Sequence, residues 1–405
     1  MASTITKALI TLCFTFFFSS TLSVNSSSTS FNPNLSSIRN FCRSKPYPDA
    51  CFDSLKLSVS INISPSIFNY LLQTLDTALS EAGKLTNHLF NGGGASNVIE
   101  KQKGTMQDCN ELHGITVSSL KKSVSRIKSG DSKQLADARS YLSATLTNTN
   151  TCLQGLDSAS GSFKPVLVNS LGNIYKQVSN SLSMVPKTGK KGHKNRLLLG
   201  FPSWMKQKGR RILQGGDDEY DPSEVITVAA DGTGNFSTIN DAINFAPNNS
   251  YDRVIIYVRE GVYEENVEIP SHKTNIVLLG DGNNATFITG NRSVVDGWTT
   301  FRSATVAVSG DGFLARDITI ENSAGPAKHQ AVALRVNADL VALYKCSING
   351  YQDTLYAHSF RQFYRECDIS GTIDYIFGNA AVIFQACNII SRMPMPGQFT
   401  VITAQ

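Results

Sequence analysis

Two patterns of hydrophobic positions divide the chain, and they predict two different kinds of domain. From about residue 31 to residue 185, apolar residues recur three and four positions apart, as in residues 112–127 and 135–146. This spacing places them on one face of an α-helix, and glycine-containing segments separate the successive helices. We therefore predict an N-terminal all-α domain over residues 31–185, an antiparallel four-helix bundle with short connections.

Beyond about residue 224 the apolar residues form short runs bounded by Gly, Asn and Asp. The run over residues 254–258, for example, is rich in Val and Ile, which favour strands. A Cys-x-Ile core recurs at intervals of 21 and 20 residues, at Cys346, Cys367 and Cys387. A period near 20 in a strand-rich sequence is typical of a parallel β-solenoid, which we predict over residues 224–405.

The N-terminus carries the pattern of an export signal. Lys7 precedes an apolar run over residues 8–18, which is too short to span a bilayer of roughly 30 Å and is typical of a signal peptide. We predict that residues 1–24 are a signal peptide, with an uncleaved signal anchor as the alternative. We therefore expect a secreted protein without stable membrane association, and the Asn-x-Ser/Thr sequons agree with a glycoprotein.

Export changes how the cysteines are interpreted, because thiols in an oxidising compartment mostly pair. Cys42 and Cys51 are placed to link an N-terminal hairpin, and Cys109 and Cys152 lie on different predicted helices that a disulfide would join. Spacing alone does not fix this connectivity. No Cys or His spacing indicates a metal site, and a net charge of +5 in 405 residues is too mild to indicate nucleic acid as a ligand.

A basic segment connects the two predicted domains, and we take residues 186–223 as a linker. Residues 187–211 hold nine Lys or Arg and no Asp or Glu. A solvated linker is one interpretation. The other is a proteolytic processing region, because Arg210 and Arg211 form a dibasic site in a segment expected to be accessible, with residues 195–199 as a second candidate site.

The solenoid period places two carboxylates together. Asp353 and Asp374 are 21 residues apart, and Gln330 and Gln352 are 22 apart, so each pair should lie on adjacent coils. Two close carboxylates repel, so one should keep its proton to higher pH. One ionised nucleophile and one protonated acid are what ester cleavage requires. Taken singly, each aspartate is better explained as a cap of a turn between coils, and only the shared spacing favours the functional interpretation.

These segments and their neighbours resemble the plant-type pectin methylesterases (pectinesterases). The matching stretches are residues 261–265, 325–335, 350–356 and 371–381. The first half is similar to the invertase/pectin methylesterase inhibitor domain that precedes the enzyme in many members, through residues 41–51 and 108–112. The resemblance implies a right-handed parallel β-helix that acts on methyl-esterified homogalacturonan in the cell wall and needs no cofactor.

The resemblance also implies roles for individual residues. Asp374 would attack the C6 methyl-ester carbonyl, and Gln352, helped by Gln330, would stabilise the tetrahedral oxyanion. Asp353 would protonate the departing methanol and then activate water to release the acyl-enzyme. The residue after Asp374 is Tyr375, whereas the family usually has phenylalanine there, so this chain departs mildly from the family pattern.

Further site residues follow from the same resemblance. Those that would contact the sugar chain or wall the cleft are Thr300, Gln330, Tyr356 and Phe377. The implied disulfide of the enzyme domain is Cys367–Cys387, which leaves Cys346 as a buried thiol. The implied partners are pectin, a subtilase-type processing protease and inhibitor proteins.

The sequence ends before the Leu-Gly-Arg-Pro-Trp segment in which the family places an arginine against the nucleophile. We therefore expect a truncated β-helix with weak or absent activity. The inhibitor-like domain would either restrain the enzyme until the linker is cut or mainly assist folding and export. The rival functions are an inert product whose helical domain inhibits another esterase or invertase, and a β-helix glycosidase or lyase, which would need a differently placed acid–base pair or a cation site.

Overall fold

The computed structural model describes residues 35–56, 66–91, 98–187, 200–215 and 221–405. The predicted signal peptide and the candidate processing site at residues 195–199 lie outside these ranges. None of the helices within them combines the length and the apolar composition that a bilayer crossing needs.

The N-terminal domain of the described chain is helical. Its helices are α1 (Leu35–Cys42), α2 (Pro48–Leu55), α3 (Ile67–Thr86), α4 (Thr105–Ser129), α5 (Ser132–Asp157) and α6 (Lys164–Met184). The four long helices bury their apolar faces against one another around Leu75, Leu112, Leu142 and Val178, none of which is exposed. The predicted four-helix bundle is therefore α3 to α6, and α1 and α2 pack onto one end of it.

Local sequence and two disulfides fix how the helices connect. Gly130 takes the left-handed conformation that ends α4 (φ 71°), and the Asp131 carboxylate caps α5 by accepting from the backbone N–H groups of its first turn. The disulfide Cys42–Cys51 joins α1 to α2, and Cys109–Cys152 joins α4 to α5. Both pairings are those that the sequence suggested.

The second domain consists of three parallel sheets. The first contains β1 (Ile226–Val228), β2 (Val254–Val258), β5 (Ile276–Gly280), β8 (Leu314–Arg316), β11 (Val341–Tyr344), β14 (Arg361–Arg365) and β17 (Ala381–Gln385). The second contains β4 (Val267–Ile269), β7 (Val306–Val308), β10 (Leu334–Asn337), β13 (Leu355–Ser359), β16 (Ile376–Phe377) and β19 (Thr403–Ala404). The third contains β3 (Gly261–Glu264), β6 (Thr286–Gly290), β9 (Thr319–Asn322), β12 (Ser347–Asn349), β15 (Asp368–Gly371) and β18 (Asn388–Ser391).

The chain visits the three sheets in turn, which makes this domain a parallel β-helix. Beyond β2, neighbours within a sheet are three strands apart in sequence. The recurring Cys-x-Ile core marks this coil length, because Ile348, Ile369 and Ile389 pair in register on successive coils. A short helix, α8 (Ile239–Phe245), packs on the first coils. The interior is lined by fully buried aliphatic and aromatic side chains.

The structure does not contain the Cys367–Cys387 disulfide that the resemblance implied. Both thiols are unbonded, as is that of the buried Cys346. The Sγ of Cys367 donates to the Arg365 carbonyl at 3.3 Å, and the Sγ of Cys387 donates to the Tyr364 carbonyl at 3.4 Å. Each thiol therefore has a backbone carbonyl acceptor, and the Cys367 thiol also contacts those of Cys346 and Cys387 on the adjacent coils.

The C-terminal part of the predicted linker is a docked helix, so the dibasic site is helical rather than extended, with Arg210 half-buried and Arg211 exposed. Helix α7 (Gln207–Gln214) includes Arg210 and Arg211. Ile212 and Leu213 are fully buried, and Arg316 of the β-helix donates to the Ile212 carbonyl at 2.6 Å. The surface that α7 covers is the outer face of the first sheet, which is apolar at Ile255, Val277, Leu279, Leu314 and Phe363.

Undocking α7 should therefore let the dibasic site take the extended conformation that proteases cleave. Leu213→Asp places an unpaired charge in a fully buried position, which costs several kcal/mol, so α7 should leave the sheet. We expect trypsin to cut after Arg210 at least about tenfold faster, because proteases need an extended, accessible chain and 1.4 kcal/mol is already a factor of ten. The measurement is limited proteolysis with mass identification of the fragments. The same charge at the exposed Gln207 is the matched control, and equal rates in the two variants would contradict the docking argument.

Candidate active site

The two aspartates lie at corresponding positions of adjacent coils in the second sheet. Strands β13 and β16 pair with Leu355 opposite Ile376. Asp353 lies two residues before Leu355, and Asp374 lies two residues before Ile376. The Asp353 N–H donates to the Ile373 carbonyl at 3.0 Å, which extends the pairing back to the aspartates. Since paired strands are about 4.8 Å apart, this register brings the two carboxyl groups into one neighbourhood.

A shared backbone conformation keeps the aspartates aligned. Asp353 has φ of 64° and Asp374 has φ of 47°, so both are in the left-handed region. Aspartate tolerates this region better than most residues, because its short polar side chain can be satisfied locally. Two turns of the same shape stacked on adjacent coils direct equivalent side chains to the same side of the sheet.

The two carboxyl groups differ in environment. Asp353 is 8% exposed, whereas Asp374 is partly exposed. Burial, reinforced by repulsion from Asp374, raises the pKa of Asp353 to about 8. Within the described chain neither carboxyl group has a hydrogen-bond or ion-pair partner, so both are available to a bound molecule. At neutral pH the Asp353 side chain therefore holds a proton that it can donate.

The two glutamines lie beside the aspartates on adjacent coils. The Ala331 N–H donates to the Gln352 carbonyl at 3.2 Å, and the Gln330 carbonyl accepts from the Val294 N–H at 3.0 Å. Both glutamine side chains are partly exposed, and their amide groups have no hydrogen-bond partner among the described residues. Two unpartnered amide groups thus lie on adjacent coils, one of them next to Asp353 in sequence, and neither glutamine lines the cavity described below.

Aromatic rings wall the cleft. Tyr356 pairs in register with Phe377, and their rings stack with centroids 4.1 Å apart and planes 19° apart. Burial raises the pKa of Tyr356 to about 12. The glycine after Phe377 is required by close packing, because Gly378 has φ of 115° and a Cβ there would lie 2.3 Å from the Ala357 carbonyl oxygen. Gly378 therefore allows the chain to turn close to the backbone of the preceding coil directly after Phe377.

The cleft is covered by the helical domain. A cavity of about 730 Å³ is lined on the β-helix side by Thr300, Asp353, Tyr356, Phe377 and Asn379. On the helical side it is lined by Ser143, Thr147, Asn150, Thr151, Gln154 and Tyr175, all of them from α5 except Tyr175 of α6. Sequence reasoning missed this contact. The signal was a polar stripe along α5 at helical spacing, which the apolar periodicity had left unassigned.

A buried hydrogen-bond chain ties α5 to the floor of the cleft. His358 is fully buried, and its Nε2 lies 3.0 Å from Thr151 Oγ1 of α5. Its Nδ1 lies 3.1 Å from Ser359 Oγ, which in turn donates to the Asn337 side chain. Burial, with the nearby Arg335 adding to it, lowers the pKa of His358 to about 3. This histidine is therefore neutral and was not among the sequence candidates.

Ion pairs join the two domains beside the cleft. Arg302 contacts Asp108 at 2.8 Å and Glu111 at 2.7 Å, and Glu111 also contacts Arg335 at 3.1 Å. Burial raises the pKa of Asp108 to about 6 against the opposing effect of Arg302. Burial would also raise the pKa of Glu111, but Arg335 and Arg302 together outweigh it and lower that pKa to about 2. Glu111 is thus held ionised between two arginines.

Two further ion pairs extend this interface. Arg361 contacts Asp137 of α5 at 2.6 Å, and Lys122 of α4 contacts Asp311 at 2.6 Å. No group of three or more His, Cys, Asp or Glu side chains in the described ranges is arranged to hold a metal ion.

Comparisons with known proteins identify the family. A family model described as Pectinesterase matches residues 225–405, and one described as Plant invertase/pectin methylesterase inhibitor matches residues 36–184. The "Probable pectinesterase/pectinesterase inhibitor 12" of Arabidopsis thaliana is 65% identical over 410 residues, which cover 98% of this chain and 75% of that relative. The chain belongs to the plant pectinesterase family. Its N-terminal domain is the inhibitor-like domain found in such relatives.

Other members of the pectinesterase family match over much of the chain. "Pectinesterase 3" of Citrus sinensis is 39% identical over 405 residues, covering 94% of this chain and 68% of that relative. The solved structure of a pectin methylesterase from carrot is 56% identical, with a TM-score of 0.44, and the match covers 44% of this chain and 56% of that chain. This chain therefore spans between about half and three quarters of the length of these pectinesterases.

The raised pKa of Asp353 predicts how stability depends on pH. The folded chain keeps this proton up to about pH 8, whereas an unfolded aspartate loses it near pH 3.9. The contribution of Asp353 to stability is thus fully present below about pH 4 and is lost as pH rises to about 8. Asp353→Asn removes this dependence, so the variant should match the wild type at pH 4 and exceed its free energy of unfolding at pH 9, by on the order of 2–5 kcal/mol.

Denaturant unfolding at a series of pH values measures this difference. Asp252→Asn, which changes an exposed aspartate of the same domain, is the control and should leave the profile unaltered. A constant difference between Asp353→Asn and the wild type from pH 4 to pH 9 would contradict the assignment.

Proposed function

We propose that the β-helix is an esterase that hydrolyses the C6 methyl esters of homogalacturonan and releases methanol. The observation that carries this proposal is the in-register pair Asp353 and Asp374, one buried and protonated and the other partly exposed, of which Asp353 lines a cleft walled by stacked aromatic rings. Membership of the pectinesterase family supports the choice of substrate.

In the proposed reaction, a carboxylate oxygen of Asp374 attacks the carbonyl carbon of the methyl ester. The carbonyl oxygen becomes an oxyanion, which the side-chain amides of Gln352 and Gln330 stabilise by donating hydrogen bonds. The tetrahedral intermediate collapses, the bond to the methoxy oxygen breaks, and Asp353 gives that oxygen its proton, so methanol leaves. An acyl-enzyme anhydride on Asp374 remains.

The second half of the reaction returns the enzyme to its starting state. Asp353, now a carboxylate, takes a proton from water as the water oxygen attacks the acyl carbon. The bond to Asp374 breaks, which frees its carboxylate and leaves a galacturonic acid group on the polymer, which gives its proton to solvent and becomes a carboxylate. The stacked rings of Tyr356 and Phe377 would lie along the sugar chain, and Thr300 would contact it at the other side of the cavity.

We also propose that the helical domain restrains this esterase in cis. The supporting observation is that α5 lines the cavity that contains Asp353 and bonds to His358 through Thr151. In this proposal the signal peptide at residues 1–24 directs the chain to the extracellular cell wall, and a processing protease cuts the linker. A folding aid without restraint and an inhibitor of other esterases are the competing roles for this domain.

Removing the nucleophile should abolish the esterase. Asp374→Asn leaves an amide that cannot attack, so methanol release from methylated pectin should fall to background. Gln352→Ala should lower the rate by about 10²–10³, the usual cost of one oxyanion donor. The control is Asp231→Asn, which makes the same change in an exposed turn of the first coil.

Methanol release should be measured on the secreted chain before and after cleavage between the domains. Retained activity in Asp374→Asn would refute the nucleophile assignment. Polymer shortening without methanol release would instead favour a glycosidase or lyase. The absence of both products from a folded, cleaved chain would favour the inert alternative.

Loosening the interface should raise the activity of the uncut chain. Tyr141 of α5 is 7% exposed and packs edge-on against Phe360, with ring centroids 6.3 Å apart. Tyr141→Ala removes this contact, and large-to-small changes at such sites cost about 3–5 kcal/mol. Methanol release from the uncut variant should therefore exceed that of the uncut wild type several-fold, and the two should be equal after cleavage and separation of the domains. Equal rates for cut and uncut wild type would refute the restraint and leave the folding role.

A further inference from the structure

A pair of arginines extends the catalytic cleft along the second sheet. Arg335 pairs in register with Tyr356, and Tyr356 pairs with Phe377, so these three side chains stand in one column on successive coils. With about 4.8 Å between strands, Arg335 lies one coil beyond the stacked rings. Arg302 lies in the short turn that follows Thr300, and Thr300 itself lines the cavity that contains Asp353.

Both arginines are held by carboxylates of the helical domain. The Arg302 Nε bonds to Asp108 and its Nη2 bonds to Glu111, while the Arg335 Nη1 bonds to Glu111 at 3.1 Å. Thr299 Oγ1 and Ser309 Oγ of the β-helix complete the arrangement, by donating to Asp108 and Glu111 respectively. The β-helix thus presents two guanidinium groups and two hydroxyl groups to a pair of carboxylates.

The β-helix itself supplies little negative charge to this arginine pair. Its one acid in contact is Glu268, which lies 3.2 Å from the Arg302 Nη1 and is 44% exposed. Arg335 has no acidic partner from its own domain among the described residues, and its guanidinium lies 3.5 Å from the centre of the Phe301 ring. Although Arg335 is 1% exposed, its Nε has no hydrogen-bond partner.

The buried Arg335 guanidinium makes one ion pair, with Glu111, and its unpartnered Nε leaves it able to make a second contact with an anion. Buried cations without counter-ions are costly. When the helical domain leaves, Arg335 loses its carboxylate and Arg302 keeps only the half-exposed Glu268. The vacated surface would then hold two fork-shaped cations beside aromatic rings, and guanidinium groups bind carboxylates through paired hydrogen bonds.

We propose that Arg302 and Arg335 form a subsite for the free carboxylates of de-esterified galacturonan, which Asp108 and Glu111 occupy in the uncut chain. This proposal rests on the proposed esterase function, because that reaction leaves carboxylates on the same polymer that crosses the cleft. A methyl ester carries no charge and would not replace Asp108 or Glu111. The helical domain and a de-esterified stretch of polymer therefore compete for one site.

The test measures binding to the full chain, so it does not depend on turnover. The probes are a fully de-esterified oligogalacturonate of about eight units and its fully methylated counterpart, with dissociation constants from titration calorimetry. Asp108→Asn combined with Glu111→Gln keeps the side-chain shapes but removes both charges that hold the arginines. We expect this double variant to bind the de-esterified probe at least about tenfold more tightly than the wild type, with an affinity that falls as salt rises.

Arginine variants show whether the gain belongs to this site. Adding Arg335→Gln to the double variant should return the affinity to the wild-type value, whereas adding Arg335→Lys, which keeps the charge, should retain part of the gain. Asp137→Asn, which breaks the Arg361 ion pair at the same interface, is the matched control and should give no gain. Melting curves for every variant separate lost binding from lost folding.

Two results would overturn the subsite. One is an unchanged affinity in a folded double variant, and the other is a gain that persists with Arg335→Gln or is equally large for the methylated probe. Methanol release is measured on the same preparations. A binding gain that depends on Arg335 without methanol release would contradict the esterase proposal and leave the carboxylate site intact.

Discussion

The register of the parallel strands is the constraint on which the candidate active site depends. Asp353 and Asp374 are brought together by the hydrogen bonds that set Leu355 opposite Ile376, and not by any direct contact between them. The same ladder sets Tyr356 opposite Phe377 and Arg335 opposite Tyr356. Because side chains alternate between faces, a slip of one residue between β13 and β16 would turn one carboxyl group away from the other. The buried interior side chains fix this register, so the packing of the core also determines where the two carboxyl groups lie.

The stability of the interface between the domains depends on a different balance, between the cost of burying charged side chains and the gain from pairing them. Four ion-pairing side chains, Asp108, Glu111, Arg302 and Arg335, lie between α4 and the second sheet. Removing such charges from water is costly, and the cost is recovered only while every charge keeps its partner. The burial of Glu111 is compensated because its carboxylate bonds to two arginines. Asp108 bonds to one arginine and one hydroxyl group. An interface of this kind is specific, and losing one carboxylate weakens it more than losing an apolar contact of similar size would.

The sequence predicted what is local or periodic. The coil length followed from the Cys-x-Ile core and the helices from apolar spacing, and the two disulfides of the helical domain are the pairings that the predicted helices suggested without fixing them. It did not predict what depends on contacts between distant segments. The basic run around Arg210 indicates an extended linker, yet α7 is amphipathic and packs on an apolar sheet face that contains Ile255 and Val277, more than forty residues further along the chain. Likewise, Arg302 lies outside the matching stretches and Arg335 ends one of them without an assigned role, and their pairing with Asp108 and Glu111 appears only when α4 covers them.

The helical domain and α7 attach to different faces of the β-helix. Cleavage of the linker and dissociation of the helical domain are therefore separate events. Helix α7 covers the outer face of the first sheet, whereas α4 and α5 lie against the second sheet and its turns. A cut in the linker therefore removes the covalent connection but leaves the ion pairs and the Tyr141–Phe360 contact in place. Departure of the helical domain requires that the buried carboxylates exchange the arginines for water or for another anion. An anionic polymer that binds those arginines lowers the cost of that exchange, so its arrival and the departure of the helical domain are thermodynamically linked.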